Sequence, residues 1–481
     1  MGYISLREEK EKNLDKLLVE KNNDDYFFEC KHRYKDLFNN VNGYALDDDQ
    51  IKCVINEDDS LLINAGAGSG KSLTLIGKIK YLVEVKKVNY EDILVISFTN
   101  ESCKSFKNKI SYDIDVFTFH RLGLEIIKKY RDVMIVTDEL DFIIEEVFND
   151  KECRKLLKGV ELNKFSEDVK RFISMYKNRE DIDFKDILKN NFSYKMHKLY
   201  KVIYIIYIRY KKHLEDNDLV DFDDMVNKAL EYISEEYVFK EYKYIIIDEY
   251  QDSSDNRINL IKKILSCTGA KLIVVGDDFQ SIYRFTGSNI NLFLNFTKLF
   301  EYSKVLSINN TYRNCQQLID VAGGFVMKNK FQLRKSLNSN LKLDKPIKFY
   351  YGSLDKLVKL LYDKEVLILG RNNRDIYKYD IDLASNCKYM TVHKSKGLES
   401  EVVIMVNLLD DINGFPSKRE NSDVLKVMDY EDKFLYEEER RLFYVGLTRT
   451  KSVVYLLIEE NPSVFVNELY KNYKKFIEII K

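Results

Sequence analysis

The chain has 481 residues, of which 45% are hydrophobic and 32% charged, with 77 Lys and Arg set against 78 Asp and Glu. At about 150 residues per compact unit this length predicts roughly three units, and so much apolar sequence excludes a disordered or fibrous chain. The net charge of -1 excludes a generally basic polyanion binder, so any nucleic-acid site must be a local patch. No uncharged apolar run reaches the roughly 18 to 20 residues of a membrane span, and the start lacks a signal peptide's apolar stretch, so a cytoplasmic location is expected. The seven cysteines show no metal-ligand spacing and read as small core residues.

In chain order, the first 43 residues alternate charge clusters with Leu14, Leu17, Leu18, Tyr26, Phe27 and Phe28, the spacing of amphipathic helices packed on something else. From Leu61 the pattern changes to short apolar runs bounded by Gly, Ser, Asn or Asp: Leu61–Ile63, Ile93–Ile96, Tyr244–Ile247 and Lys271–Val275. Runs of this kind separated by helix-length segments predict the buried strands of a parallel sheet. Between about Leu122 and Asp218 they give way to Lys/Glu-rich sequence with apolar residues at helical spacing, which predicts a helical insertion. A second set follows at Val305–Ile308, Val366–Leu369, Val402–Val406 and Val453–Ile458, so two α/β lobes are expected, the first interrupted.

Directly after the first strand comes Ala65-Gly66-Ala67-Gly68-Ser69-Gly70-Lys71-Ser72, which ends as a P-loop ends, with Ala65 at the usual first glycine position. Small residues there let backbone N–H groups turn onto phosphate oxygens at a helix N-terminus, while the Lys71 ammonium reaches the β and γ phosphates and Ser72 binds Mg²⁺. Nucleotide hydrolysis also needs a metal-binding carboxylate and a group that activates water. The run Tyr244–Glu249 ends a strand with two acids, Asp248 suited to the metal and Glu249 to the water. After the strand ending at Gly276, Gln280 is placed to sense a γ phosphate, and Tyr283 and Phe285 offer flat faces. Ser97-Phe98-Thr99-Asn100 and Thr118-Phe119-His120-Arg121 also put aromatic and hydrogen-bonding groups at strand ends. Stacking of this kind contributes about 1–3 kcal/mol per base without reading sequence. In the second lobe, Arg313 and Arg449 flank strands where a guanidinium can reach a phosphate across a lobe interface, and Thr391–Glu399 forms a small polar loop before a strand.

Taken together and in this order, from about Leu46 to Leu457, these segments resemble the UvrD/Rep branch of superfamily one helicases, and within it the helicase IV subgroup. The resemblance implies an α/β fold of two RecA-like P-loop NTPase lobes, with ATP and Mg²⁺ between them and single-stranded DNA crossing their tops in 3′-to-5′ translocation. It implies a helical accessory segment over 1–43, a first lobe over 44–120 and 219–300, a helical insertion over 121–218, and a second lobe over 301–481. It places Lys71, Ser72, Asp248, Glu249, Gln280, Arg313, Glu399 and Arg449 around ATP, with Gln50 as the adenine-reading glutamine. Phe98, Asn100, His120, Tyr283, Phe285 and His393 fall on the DNA side. Two departures stand out. Thr286 replaces an arginine common in the family, and the 80 positions from Arg313 to His393 leave no room for the domain-sized insertion of larger relatives. The expected partners are single-stranded or tailed duplex DNA, with a nuclease or a repair or antiphage-defence subunit as a possible protein partner. Two other functions share these motifs: an ATPase subunit that unwinds little by itself, and a nucleic-acid-stimulated ATPase that remodels a protein such as RNA polymerase. Partner-free strand displacement separates them from a helicase.

Overall fold

The apolar runs become two six-stranded sheets in the computed structural model of the chain, which describes residues 2–190, 192–234, 239–379, 385–428 and 433–481. In chain order the strands are β1 (Ser60–Ala65), β2 (Ile93–Ser97), β3 (Asp115–Thr118), β4 (Met134–Ile135), β5 (Leu219–Val220), β6 (Tyr244–Ile247), β7 (Lys271–Gly276) and β8 (Ser303–Ile308). They continue with β9 (Ile347–Tyr350), β10 (Val366–Gly370), β11 (Cys387–Thr391), β12 (Ser400–Met405), β13 (Thr450–Leu457) and β14 (Ile477–Ile480). The first sheet runs β3-β2-β6-β7-β1-β8 and the second β11-β10-β12-β13-β9-β14, while β4 and β5 pair separately. Every pairing within the two large sheets is parallel, the arrangement of two RecA-like lobes.

Strand periodicity divides each sheet's side chains between two cores. In the first lobe Leu61, Ile63, Ile93 and Val95 face one way, and Leu62, Leu94 and Ile96 the other. The first face is covered partly by Tyr26, Phe27, Cys30 and Phe38 from the N-terminal helices Lys16–Arg33 and Lys35–Asn39, so the accessory segment shares the first lobe's core. In the second lobe Leu367, Leu369, Val403 and Met405 face away from Val366, Ile368, Val402 and Ile404. Each of these fully buried aliphatic side chains contributes about 1.5–3 kcal/mol of transfer free energy. All seven cysteines are free, and all but the half-buried Cys267 are buried. Among the described residues no helix is long and apolar enough to cross a membrane.

Three boundaries differ from those expected. The run Val305–Ile308, assigned to the second lobe, lies in β8, which pairs with β1 at the edge of the first sheet. An apolar run shows that a strand is buried but not which sheet it joins. The helix Phe119–Lys128 buries Leu122, Leu124, Ile126 and Ile127 in the first lobe, so the helical insertion begins beyond residue 128. The insertion's core also includes residues remote in sequence: Val424, Leu425 and Met428, from the connection between β12 and the helix Glu437–Leu447, pack among Phe172, Tyr200 and Ile203. Backbone carbonyls of this strap accept bonds from Tyr200 Oη (to Val424, 3.2 Å) and Arg179 Nη1 (to Met428, 2.8 Å).

Candidate nucleotide and nucleic-acid site

Parallel strands bring their C-terminal ends to one edge, where connections gather functional groups. Residues Gly66–Gly70 join β1 to the helix Lys71–Lys80. Two of them, Gly68 (φ 72°) and Gly70 (φ 80°), adopt the left-handed conformation that an L side chain resists. A Cβ on Gly68 would lie 2.5 Å from Arg313 Cβ, and one on Gly70 would lie 2.6 Å from Gln50 Nε2. Gly70 caps the helix without a side-chain hydrogen bond, and the buried hydroxyl of Ser69 has no partner among the described residues. The segment after β8 lies over the loop: Thr311 Oγ1 donates to Ala67 O (2.7 Å), and Tyr312 N donates to Gly68 O (3.0 Å).

Lys71 Nζ lies 3.1 Å from Glu249 Oε1, joining the P-loop to the end of β6. Glu249 takes up a left-handed conformation (φ 53°), and its N–H donates to Asp248 Oδ1 at 2.9 Å. Burial alone would raise both carboxyls. Its effect and the neighbouring Glu249 hold Asp248 above the usual carboxylate range, whereas Lys71 and Lys396 overcome burial at Glu249 and hold it below. Ser72 follows Lys71 in the first turn of the P-loop helix.

The second lobe reaches into the same cleft. Lys396 Nζ bonds Asp252 Oδ2 (2.5 Å) and Gln280 O (2.7 Å), and lies 3.9 Å from Glu249 Oε2. Arg449, 1% exposed, donates through Nη2 to Gln280 Oε1 at 2.9 Å. Burial and the nearby Arg313 lower its pKa to about 10, so it stays charged at neutral pH. Arg313 Nε donates to Glu399 Oε2 (2.7 Å), which Lys451 also pairs at 2.9 Å through the other oxygen. Gln50 is fully buried with both polar side-chain atoms engaged: Oε1 accepts from Asp47 N, and Nε2 donates to Ser69 O at 3.1 Å. In this structure it braces the P-loop.

Four of the six residues assigned to DNA form one ring cluster. Phe98 stacks on Tyr283 (5.3 Å, 19°), Phe285 lies 6.0 Å from Tyr283, and His393 meets Phe285 edge-on at 5.4 Å. Tyr283 Oη donates to His393 O (3.1 Å), tying the lobes together. The other two lie apart. His120 packs against Phe222, and Asn100 is exposed at the start of the helix Asn100–Lys109. Burial lowers the imidazole pKa to about 4 at His120, helped by Arg257, and to about 3 at His393, helped by Arg371 and Lys396. Both rings are neutral at physiological pH.

The sequence reading assigned no role to Gln251, and placed Lys396 only within a polar loop suited to contact with a phosphate backbone. Gln251 Nε2 donates to Glu249 Oε2 (2.6 Å), and its Oε1 accepts from Asp277 N (2.9 Å). Both stand inside quoted motifs, but chain position alone does not show which polar residue in a loop turns inward.

A P-loop opening a helix after β1, acids at the end of β6, one strand removed from it in the sheet, and cations from a second parallel lobe define a two-lobed P-loop NTPase. The model of the UvrD/REP helicase N-terminal domain matches residues 46–301, more than half of the chain, and the chain belongs to the UvrD/REP helicase family. It is 28% identical to DNA helicase IV of Escherichia coli (strain K12) over 91% of this chain and 72% of that protein. To the probable DNA helicase II homolog of Mycoplasma capricolum it is 28% identical, over 71% of this chain and 51% of that protein. To the ATP-dependent DNA helicase Rep of Buchnera aphidicola subsp. Schizaphis graminum it is 27% identical, over 84% and 63%. It spans between about half and three-quarters of the length of these relatives.

Proposed function

We propose that the cleft binds ATP with Mg²⁺ and couples hydrolysis to 3′-to-5′ movement along single-stranded DNA, whose bases stack on the Phe98, Tyr283, Phe285 and His393 rings. The carrying observation is the placement of Lys396. One side chain from the second lobe pairs with the acids following β6 while its ammonium lies 5.2 Å from the Tyr283 ring centroid, so it links the nucleotide groups to the stacking surface.

The residues present fit the nucleotide. Left-handed glycines, a helix start that no side chain caps and the unpartnered Ser69 hydroxyl suit a polyphosphate cradle. Lys71 would exchange Glu249 for phosphate oxygens, and Ser72 and Asp248 would hold Mg²⁺, which supplies charge neutralisation at the phosphates. Released from Lys71, Glu249 is a carboxylate able to take a proton from the attacking water. Gln280, fixed by Arg449, senses the terminal phosphate. Arg449 and Arg313 stabilise the charge that develops there, and Glu399 orients Arg313. Because Gln50 already bonds Ser69 O, reading adenine with its amide would require one of its present bonds to break.

From Asn314 to Met390 the described residues build the helices Gln316–Val326 and Leu354–Leu360 and strands β9, β10 and most of β11, all within the second lobe. We infer that the chain moves along single strands readily and opens duplexes weakly unless a partner supplies a wedge. Strand displacement on 3′-tailed and 5′-tailed duplexes with ATP and Mg²⁺ tests the reading. Displacement confined to 3′-tailed substrates is expected; a 5′ preference would overturn the polarity, and processive unwinding of long duplexes would overturn the weak-wedge inference.

A further inference from the structure

Behind Gln280 lies a second ionic cluster. The segment following the helix Gln316–Val326 carries Lys335 against the first lobe, where its ammonium lies 2.5 Å from Asp277 Oδ1 and 2.7 Å from Asp278 Oδ1. The lysine side chain is 5% exposed and both carboxylates are fully buried. Their other partners differ. Asp278 Oδ2 accepts from Leu333 N (2.9 Å), whereas Asp277 Oδ2 accepts from Gln280 Nε2 (2.7 Å), whose Oε1 in turn accepts from Arg449. Asp277 N donates to Gln251, which bonds Glu249. Asp277 therefore joins both hydrolytic branches of the cleft, and Lys335 is its cation.

We propose that Lys335 is a positioning residue for ATP hydrolysis: its ammonium anchors the Asp277 carboxylate, so that Asp277 Oδ2 holds the donating end of the Gln280 amide and turns the Gln280 carbonyl toward Arg449. This rests on the reading of the cleft as an ATP-hydrolysing site. A primary amide has a donating and an accepting end, and the acceptor at Asp277 Oδ2 and the donor at Arg449 select between them together. An Asp277 carboxylate that left its place would remove this acceptor, the amide would be free to turn over, and its NH₂ could face the Arg449 guanidinium, donor against donor. Lys335 bridges two adjacent buried carboxylates, and without that cation their mutual repulsion would drive Asp277 from its place against Gln280. Among the described residues, Lys335, Arg449 and the Tyr444 hydroxyl, which burial keeps neutral, face the pair. Burial pushes the Asp278 carboxyl up against the pull of Lys335.

The test is DNA-stimulated ATPase kinetics, with binding of a fluorescent ATP analogue and thermal melting, on full-length variants. Lys335→Met is expected to lower kcat by about 10- to 100-fold with KM near wild type. Lys335→Arg, which keeps the charge, should recover most of the activity. Asp277→Asn should fall as Lys335→Met does, because an Asn must turn its NH₂ toward either the lysine or the Gln280 amide, whereas Asp278→Asn should stay within about twofold of wild type. Each Asn variant removes one buried carboxylate, so a merely structural ion pair predicts equal losses. Equal losses, or wild-type kcat in Lys335→Met, would overturn the proposal; should Lys335→Met not fold, the two Asn variants decide. A Lys71→Ala variant that still hydrolysed ATP would overturn the reading of the cleft instead, a separate failure.

Discussion

Replacing Phe285 with alanine separates binding from folding at the ring cluster. Its side chain is 48% exposed, and its contacts within the cluster are the tilted one to Tyr283 at 6.0 Å and the edge-on one to His393 at 5.4 Å. Truncating a fully buried aromatic costs about 3–5 kcal/mol, so a ring half in water on a surface that can relax should cost roughly 1–2 kcal/mol of stability. A base stacked on that ring contributes about 1–3 kcal/mol, which is roughly 5- to 150-fold in Kd. The assay is fluorescence anisotropy with labelled oligo-dT and a mixed-sequence oligonucleotide of equal length, read beside thermal melts. The expected result is a similar loss of affinity for both oligonucleotides with a small fall in Tm. A large fall in Tm with unchanged Kd per folded molecule would make Phe285 a packing residue and refute the stacking surface. Phe98 behaves differently: it is half-buried, stacked on Tyr283 and 5.3 Å from the Arg257 guanidinium, so Phe98→Ala should lower both Tm and affinity.

Glu249→Gln should lower kcat by about 10²- to 10⁴-fold while nucleotide binding persists, because Lys71 and Asp248 remain; loss of binding of a fluorescent ATP analogue would contradict that division of roles. DNA affinity should fall linearly on a log–log plot against salt despite the near-zero net charge, and a flat line would remove the local basic track. His120 and His393 have folded-state pKa values of about 4 and 3, below the 6.5 of the unfolded chain. Their stabilising contribution is therefore complete above pH 6.5 and is lost as pH falls from there toward the folded values. The urea midpoint should be lower at about pH 5 than at neutral pH, and His393→Asn should narrow the difference; an unchanged difference would exclude that ring as a source.

The legible parts of the molecule were those in which local pattern and chemistry coincide. The runs from Leu61, Ile93, Tyr244 and Lys271 became β1, β2, β6 and β7, because buried parallel strands need apolar side chains on both faces. Three strands of the second sheet, β9, β11 and β14, stand on short or mixed runs such as Cys387–Thr391, whose polar residues hide them from periodicity. Within the site, Lys71, Asp248 and Glu249 were readable because chemistry fixes their spacing. The inward turn of Lys396, the bracing role of Gln50 and the docking of Lys335 on Asp277 each depend on a partner from a distant stretch of chain. No local pattern encodes such contacts.

The strap that carries Leu425 into the helical insertion bears on how the molecule can be taken apart. In sequence the insertion is a continuous excursion between β4 and β5, the kind of segment commonly excised or grafted as a module. Its interior nevertheless borrows Val424, Leu425 and Met428, the last two wholly shielded from water, from more than 200 positions downstream. An excised fragment would carry a cleft where those side chains belong, and each lost Leu- or Met-sized contact would cost it about 2–5 kcal/mol, a large share of the margin by which a small domain stays folded. The insertion is thus a co-operative part of a chain whose far end completes it, and a graft that left the strap behind would transplant an unfinished fold.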